Sequence, residues 1–584
     1  MLGPFLALCA LIDIAFAQLT PSVVYQPPDP SEGAQVTNGT RPNQQYSDLL
    51  GNALWFYEAQ RSGKLPDSNR VPWRNDSVLN DGSDWGIDLS RGYFDAGDYS
   101  INSFNLAGTL FEICWGATMY GAGYDAANQT AYLDQMLRWG LDWAMRAHPQ
   151  PNTIYAQVGN LSDSGTYWGG DQNIPEPRPA FPINETHPGT DLASAFSSMF
   201  SMCSLLYSPG VTLNTTTTAG SPTGMGDAEL AAQLRQHAVD SYSFAMNTTM
   251  VLYPLSIPEA GAGYNSSSFA DDLTLAAISL ALLTNNSAYY VEALDHYNTY
   301  ALSTISGAMN WDGRNPAVFM SLVEAALARP ALAQGAGLAT NLTGWQTQME
   351  AYLDGILEGK KSRPYFTNGR LLWYEGDSNS ASLNVALNAA ILFDRYAPYS
   401  NVSWKPQQYH DFALTQLDYA LGKNPLNAVY VVGTHNNSIH NPHSAPASGG
   451  NSLQTLDTYP VTMAHTLYGA CVGGPDAEDR YWDLRGNYEQ SEVAIDYTAP
   501  ILTLAAYHVM TSDRDPFYTS LASGSYTPTP GHPCNEDYPC GGDGGGGGLS
   551  KGAKIAIGVV VPVVVLAGIF TGVWLWKRRK SRRY

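Results

Sequence analysis

Residues 132–148, which read YLDQMLRWGLDWAMRAH, show the helical pattern that recurs along the chain. Their apolar residues recur at steps of three and four, which places them on one face of a helix. This face consists of Leu133, Met136, Leu137, Gly140, Leu141 and Ala144. The same pattern returns at 44–62, 103–118, 190–207, 226–246, 270–284, 287–306, 316–328, 343–358, 381–396, 408–421 and 490–510. Because no strand-rich block interrupts the series, the sequence predicts an all-α domain.

Composition and charge limit the kinds of partner. The chain has 584 residues, of which 44% are hydrophobic and 14% charged, and its formal net charge is −22. This composition supplies a large core. Nucleic acids and anionic membrane surfaces are bound through clustered Lys and Arg, so the acidic bulk excludes nucleic acid as a partner.

Both ends of the chain are typical of a cell-surface protein. Residues 1–17 predict a signal peptide, because an apolar run ends in the small-x-small pattern AFA at 15–17. Residues 555–576 carry no charge and are long enough to cross roughly 30 Å of hydrocarbon as a helix. The basic residues 577–584 predict a cytoplasmic tail, so we expect a single-pass membrane protein whose main domain is extracellular. A glycolipid-anchor signal is the alternative.

Between these ends we predict a lead-in at 18–44, one domain at 45–515 and a linker at 516–554. The linker is rich in Ser, Thr and Pro and then in Gly, so it should behave as a flexible tether. N-x-S/T triplets support the secretory route. They begin at Asn38, Asn75, Asn128, Asn160, Asn184, Asn214, Asn247, Asn265, Asn285, Asn341, Asn401 and Asn436.

The cysteine count is odd outside the signal peptide. The residues are Cys114, Cys203, Cys471, Cys534 and Cys540. At least one thiol therefore stays unpaired within a monomer, and Cys534 is close enough in sequence to Cys540 to pair with it.

Two acidic motifs carry the candidate chemistry. Residues 91–98 (RGYFDAGD) place two carboxylates three residues apart around a tight turn. Residues 481–497 (YWDLRGNYEQSEVAIDY) set further carboxylates among aromatic residues just before an apolar helix. The first motif alone is also typical of a structural turn or a calcium loop. Glu492 alone is also explained as a residue favoured by the dipole at a helix N-terminus.

These motifs belong to a longer series of ordered blocks. The other blocks are AQRSGKLP at 59–66, VPWRNDS at 71–77, YAQVG at 155–159, DYALGKNP at 418–425, YVVG at 430–433 and VGGPD at 472–476. Together the blocks resemble glycoside hydrolase family 9, the inverting cellulases, over residues 45–510. The resemblance implies that 45–515 is a catalytic domain folded as an (α/α)6 barrel, with a cleft across one end.

The resemblance also implies a role for each carboxylate. Asp98 resembles the general base, Asp95 the residue that helps to hold the attacking water, and Glu492 the general acid. Inversion needs the two carboxyl groups on opposite sides of the bond, about 6.5–9.5 Å apart. Asp483 resembles a support for Glu492 and for substrate, and as a neighbouring negative charge it would raise the pKa of the acid.

Further residues resemble sugar contacts of the family. His443 aligns with the first His of a Pro-His-His-Arg segment, whose second His and Arg are missing here, so a loop histidine without a sugar contact is the alternative. Sugar rings expose apolar C–H faces that stack on aromatic rings, which makes Trp168, Trp311 and Tyr488 candidate binding residues. For any single Trp, packing in the core is the alternative.

The sequence leaves open whether the protein binds a metal ion. The segment 264–273 (YNSSSFADDL) resembles one that holds a structural calcium in some members of the family. Asp271 and Asp272 would supply hard oxygen ligands, whereas capping by Ser and first-turn Asp residues of a helix explains the same letters. We expect that the reaction requires no cofactor.

The function implied by the resemblance is endo-1,4-β-glucanase activity on cellulose-like or mixed-linkage β-glucan. An exo-acting β-glucosidase or glucosaminidase is the alternative within enzymes. A non-catalytic surface protein that binds glucan is the alternative outside enzymes. The presence of both catalytic carboxylates favours the enzyme.

Overall fold

The computed structural model of the protein describes residues 18–538, apart from 32–35, 37–38, 162–164, 211–212, 214–219, 306, 359–364, 397–404 and 536–537. The predicted signal peptide, membrane span and cytoplasmic tail lie outside the described residues and stay predictions. Among the helices that are described, none is long and apolar enough to span a membrane.

Long helices carry the fold. In the described part of the chain they are α1 Gln44–Gln60, α2 Ser103–Ala126, α3 Thr130–Ala147, α4 Thr190–Tyr207, α5 Ala228–Asn247, α6 Ala270–Thr284, α7 Ser287–Thr299, α8 Asn315–Ala328, α9 Leu342–Leu357, α10 Ser378–Ile391, α11 Lys405–Ala420 and α12 Ile495–Thr511. Shorter α-helices lie at Tyr253–Ser256, Ala331–Gly335, Ala445–Ser448 and Tyr488–Ser491. Single 3-10 turns lie at Ser83–Trp85, Ala260–Ala262, Leu302–Thr304, Leu453–Thr455 and Phe517–Ser520, and a π-helical turn at Leu392–Tyr396.

The even-numbered long helices form a closed inner ring. Each inner helix contacts the next one in the order α2, α4, α6, α8, α10 and α12, and α12 contacts α2. Each odd-numbered helix packs on the outside of one inner helix: α1 on α12, α3 on α2, α5 on α4, α7 on α6, α9 on α8 and α11 on α10. This is the predicted (α/α)6 barrel, which is confirmed.

Inner and outer helices differ in sequence for a physical reason. The inner helix α6 (ADDLTLAAISLALLT) is buried over nearly its whole length, as expected for a helix that is apolar on all sides. The outer helix α3 buries the face predicted from its periodicity and leaves residues such as Asp142 in contact with solvent. A helix that is apolar on all sides therefore lies in the inner ring, and a helix with one polar face lies outside it.

A small antiparallel sheet fixes the first acidic motif. The strands are β1 Ile101–Asn102, β2 Ile154–Val158 and β3 Ala180–Ile183, in that order. In the register, Ile101 pairs with Val158 and Ile154 with Ile183. A second sheet pairs β4 Tyr365–Phe366 with β5 Leu372–Trp373. Because β1 directly follows the loop of Asp95 and Asp98, this sheet helps to hold the loop at one end of the barrel.

One disulfide staples two neighbouring inner helices. Cys114 of α2 bonds to Cys203 of α4, and Cys534 is also disulfide-bonded. The predicted partner of Cys534, Cys540, lies outside the described residues. Cys471 is a free, buried thiol, in agreement with the odd count.

The start of the predicted linker packs on the barrel. Tyr518 is buried and donates a hydrogen bond to the Gln45 carbonyl oxygen at 3.1 Å. Tyr526 is buried as well. The described residues up to Pro528 form one compact unit, and those from Thr529 belong to a second unit.

Candidate active site

The loop around Asp95 and Asp98 is tied to two helices. The Gln60 side chain at the end of α1 donates to the carbonyl oxygens of Phe94, at 3.1 Å, and Ala96, at 2.7 Å. At the start of α12, the Ile495 N–H donates to the Asp95 carbonyl oxygen at 3.0 Å. The loop therefore meets the segment of Glu492, although about 400 residues separate the two motifs in sequence.

Gly97 brings a third segment close. A Cβ atom at this position would overlap the His443 carbonyl oxygen. The Gly97 carbonyl oxygen accepts the Ala445 N–H at 2.8 Å, and its N–H is bonded to the Glu492 carboxyl group. The small residue between the two aspartates is thus required by the approach of backbone, and not only by the turn.

Asp95 lies in a buried hydrogen-bond network. The Tyr264 hydroxyl donates to Asp95 Oδ2, and Asn105 Nδ2 lies 3.0 Å from Asp95 Oδ1. The same Asn105 nitrogen lies 3.0 Å from Asp496 Oδ1 at the start of α12. Burial raises the pKa of Asp95 well above its ordinary value, the hydrogen bond from Tyr264 opposes that rise, and the charge of Asp496 adds to it.

Asp98 is less enclosed than Asp95. Asp98 is half-buried, and its Oδ1 accepts the Ser100 N–H at 3.1 Å and the Ser100 hydroxyl at 2.9 Å. Both donors suit a carboxylate, which can only accept. The charge of Asp98 acts on both Glu492 and His443, so these three predicted residues lie near one another.

The backbone of Glu492 is paired with two other segments of the chain. It follows the short helix Tyr488–Ser491 and pairs with His443 in a parallel bridge. Its carbonyl oxygen accepts the Gly473 N–H at 2.9 Å. Burial, then the negative charges of Asp98, Asp95 and Asp496, raise the pKa of its carboxyl group to about 8. A glutamic acid in this state keeps its proton at neutral pH and is able to donate it.

Asp483 supports the site indirectly, through the loop that leads to His443. It has a left-handed φ of 54°, and its oxygens accept the N–H groups of His440 at 3.0 Å and Asn441 at 2.8 Å. The Tyr526 hydroxyl donates to Asp483 Oδ2 at 3.1 Å. The negative charges that raise the pKa of Glu492 most are those of Asp98, Asp95 and Asp496. Through its two backbone hydrogen bonds, Asp483 holds the loop that leads to His443.

His443 is fixed from both sides. Its N–H donates to the Ser491 carbonyl oxygen at 2.7 Å, and its Nδ1 lies 2.5 Å from the Arg485 carbonyl oxygen. Because a carbonyl only accepts, Nδ1 carries the proton and Nε2 is the ring atom left for other contacts. Burial lowers the pKa of His443, so the ring is neutral.

The three predicted aromatic residues differ in what they offer. Trp168 is only 4% exposed and packs 4.8 Å from the His443 ring, so it supports His443 instead of presenting a face to sugar. Trp311 is half-buried and contacts the Tyr264 ring edge-on at 5.1 Å. Tyr488 is half-buried with its ring 6.4 Å from His443. Trp311 and Tyr488 therefore remain the candidates for stacking.

The candidate calcium residues lie beside a basic residue. Asp271 accepts the Arg314 backbone N–H at 2.6 Å, and Asp272 pairs with the Arg314 guanidinium at 3.5 Å. Within the described residues, no group of three or more His, Cys, Asp or Glu side chains has the arrangement of a metal site.

Sequence reasoning missed three residues in the hydrogen-bond network of Asp95. Asn105, Tyr264 and Asp496 contact Asp95 or share its network. Asp496 lies inside the motif 481–497, and its position four residues after Glu492 is a usable signal. Tyr264 and Asn105 have no local signal, because only the ring of helices brings them to Asp95.

With the geometry described, the chain can be compared with known proteins. The model of glycosyl hydrolase family 9 matches residues 46–505. The chain belongs to glycosyl hydrolase family 9. The predicted glycoside hydrolase of the cellulase type is thereby confirmed.

Relatives of this family 9 chain include bacterial and plant proteins. It is 34% identical to endoglucanase A of Bacillus pumilus over 466 residues, which are 80% of this chain and 66% of that protein. It is 31% identical to endoglucanase 13 of Arabidopsis thaliana over 485 residues, which are 79% of this chain and 93% of that protein. The chain thus spans about two thirds of the bacterial relative and nearly all of the plant relative.

Solved structures give the same result. An endoglucanase of the termite Nasutitermes takasagoensis superposes with a TM-score of 0.69 at 30% identity, over 80% of this chain and 98% of that chain. The endoglucanase CelQ of Clostridium thermocellum, solved with cellotetraose, has a TM-score of 0.63 at 25% identity, over 80% of this family 9 chain and 70% of that chain.

Proposed function

We propose that this family 9 enzyme is an endo-1,4-β-glucanase that hydrolyses cellulose-like or mixed-linkage β-glucan with inversion. The relatives and solved structures named above are endoglucanases, and one of them was solved with cellotetraose. The observation that carries the chemistry is the environment of Glu492, where burial and the negative charges of Asp98, Asp95 and Asp496 raise the pKa of the carboxyl group to about 8 and keep it protonated at neutral pH.

In the proposed reaction, Glu492 protonates the glycosidic oxygen while Asp98 accepts a proton from the attacking water. Asp95, held by Tyr264 and Asn105, helps to place that water. The base and the acid act from opposite faces of the sugar, so one displacement inverts the anomeric carbon. His443 presents Nε2 for a hydrogen bond to substrate, because Nδ1 is bonded to the Arg485 carbonyl.

The stereochemistry of the product tests this proposal. During early hydrolysis of a soluble β-glucan, proton magnetic resonance should show the α-anomer first, since inversion forms no covalent glycosyl-enzyme. Appearance of the β-anomer first would contradict the roles of Asp98 and Glu492. A product series that contains internal fragments of many lengths supports endo-cleavage, whereas release of a single short sugar from chain ends supports the exo alternative.

We also propose that the enzyme is held at the cell surface by residues 555–576. The support is the uncharged span and the basic residues that follow it. A chain truncated after Gly548 should be secreted in active form, whereas the full chain should sediment with membranes. Membrane retention of the truncated chain would show that another segment anchors the enzyme.

A further inference from the structure

The chain returns to the active site after α12. Residues 522–526, here called the C-terminal strap, lie along the loop 435–441 that leads to His443. The family match ends at residue 505, so the strap lies outside it. A segment beyond the matched family domain thus contacts the loop of a candidate sugar-binding residue.

The side chain of Asn437 fixes the middle of the strap. Its Nδ2 donates to the Ala522 carbonyl oxygen at 3.2 Å and to the Ser525 hydroxyl at 2.9 Å. Its Oδ1 accepts the Gly524 N–H at 2.8 Å. Because Asn437 is fully buried and an amide has two donor hydrogens and one acceptor oxygen, the strap satisfies the whole side chain. These three bonds fix the register of the strap on the loop.

Tyr526 fixes the end of the strap. Its ring centre lies 5.5 Å from that of His440, and its hydroxyl donates to Asp483 Oδ2 at 3.1 Å. The same carboxyl group accepts the N–H groups of His440 and Asn441, at 3.0 and 2.8 Å. A buried carboxylate is costly unless its oxygens accept hydrogen bonds, so the Tyr526 hydroxyl stabilises Asp483 in the position that holds both N–H groups. The strap thus supports the loop directly before His443.

We propose that the C-terminal strap is a positioning element for substrate binding, which orders the loop 435–441 before the glucan arrives and so keeps His443 in place for its hydrogen bond. A loop that is already ordered in the free enzyme loses less conformational entropy when a ligand binds, which favours binding. The contacts of the strap go to this loop and to Asp483, so the strap acts on substrate affinity and leaves the chemical step unchanged. The inference rests on the proposed function, in which His443 Nε2 contacts substrate.

The test is the split between KM and kcat of the full chain on a soluble β-glucan. Tyr526→Phe removes the hydrogen bond to Asp483, and Asn437→Ala removes the three bonds to the middle of the strap. We expect each variant to raise KM about two- to tenfold, the scale of a buried hydrogen bond, with kcat nearly unchanged. A wild-type KM in Tyr526→Phe overturns the inference, as does a fall in kcat without a rise in KM.

Two further variants separate this role from a general loss of stability. Tyr518→Phe is the matched control, because its hydroxyl donates to the Gln45 carbonyl oxygen of α1 at 3.1 Å and the same substitution removes that bond just before the strap. It should lower the free energy of unfolding as Tyr526→Phe does and keep the wild-type KM. Adding Tyr526→Phe to His443→Ala should raise KM no further, because the strap acts through His443. An equal rise of KM in Tyr518→Phe, or additive rises in the double variant, would contradict the inference.

Hydrogen exchange tests the ordering of the loop without substrate. In Tyr526→Phe the amides of the loop 435–441 should exchange faster than in the wild type, whereas in Tyr518→Phe they should exchange at the wild-type rate. Equal protection of this loop in Tyr526→Phe and the wild type would overturn the inference. If the wild type hydrolyses no β-glucan, the proposed function fails, and the exchange result still decides whether the strap orders the loop.

Discussion

The two catalytic segments hold their carboxyl groups in different surroundings. Asp98, in the first segment, is half-buried and accepts two hydrogen bonds from Ser100. Glu492, in the second, is surrounded by the negative charges of Asp98, Asp95 and Asp496, and its pKa rises to about 8. The charges and hydrogen-bond donors placed around a carboxyl group therefore determine whether it acts as a base or as an acid.

Removal of either catalytic carboxyl group should have the largest effect on activity. If the two variants behaved alike, their different roles would be contradicted. We expect Asp98→Asn and Glu492→Gln each to lower kcat/KM on β-glucan by about 10²–10⁴-fold, the scale of general acid–base catalysis. Glu492→Gln should spare aryl glycosides, whose leaving group needs no proton. Asp98→Asn should regain turnover with added azide, which replaces the activated water.

A neighbouring carboxyl group provides the control for this pair. Glu489 is exposed and lies three residues before Glu492, so Glu489→Gln should keep near-wild-type kcat/KM. Rescue of Glu492→Gln by azide, with no rescue of Asp98→Asn, would reverse the two roles.

The pH dependence sharpens the comparison on the acid side. Glu492 donates only while protonated, and its raised pKa of about 8 keeps it protonated through neutral pH. We therefore expect kcat/KM to fall about tenfold per pH unit above roughly pH 8. Steady-state rates between pH 4 and 10 would show this limb, and a decline that begins near the ordinary range of a glutamic acid would contradict the role of the surrounding carboxylates.

His443 should matter less than either carboxyl group. His443→Ala removes one hydrogen-bonding ring, so we expect the transition-state stabilisation calculated from kcat/KM to fall by about 1–3 kcal/mol. His187→Ala, at an exposed histidine, is the control and should have little effect. A loss as large as that of Glu492→Gln would mean that His443 takes part in proton transfer.

The smallest expected effect concerns the support of the second segment. Tyr526→Phe removes the hydroxyl that donates to Asp483 and should lower the free energy of unfolding by about 0.5–1.5 kcal/mol, with kcat nearly unchanged. Urea denaturation would measure it, with Tyr459→Phe as a control at a tyrosine that is 57% exposed. An equal loss in both variants would remove the case that residues near 526 stabilise the domain.

Some of the site was predictable because its signal is local in sequence. The pair Asp95 and Asp98 and the residue Glu492 lie in motifs that carry their own pattern of acids, glycine and aromatics. Trp168 shows the limit of such reasoning, since a loop Trp that resembles a sugar platform proved to be packed on His443. The contact of Asp271 and Asp272 with Arg314 has no local signal either, because Arg314 lies about 40 residues away in sequence.

The helices can be predicted from the sequence, because their apolar faces repeat with the period of the α-helix, and the ordered motifs identify the family. The order of the helices in the ring, the residues that meet around Asp95 and the raised pKa of Glu492 are seen in the folded chain alone. These properties depend on burial and on charges brought together from distant parts of the chain, such as Tyr264 and Asp496. Neither burial nor such proximity is written in any local stretch of residues.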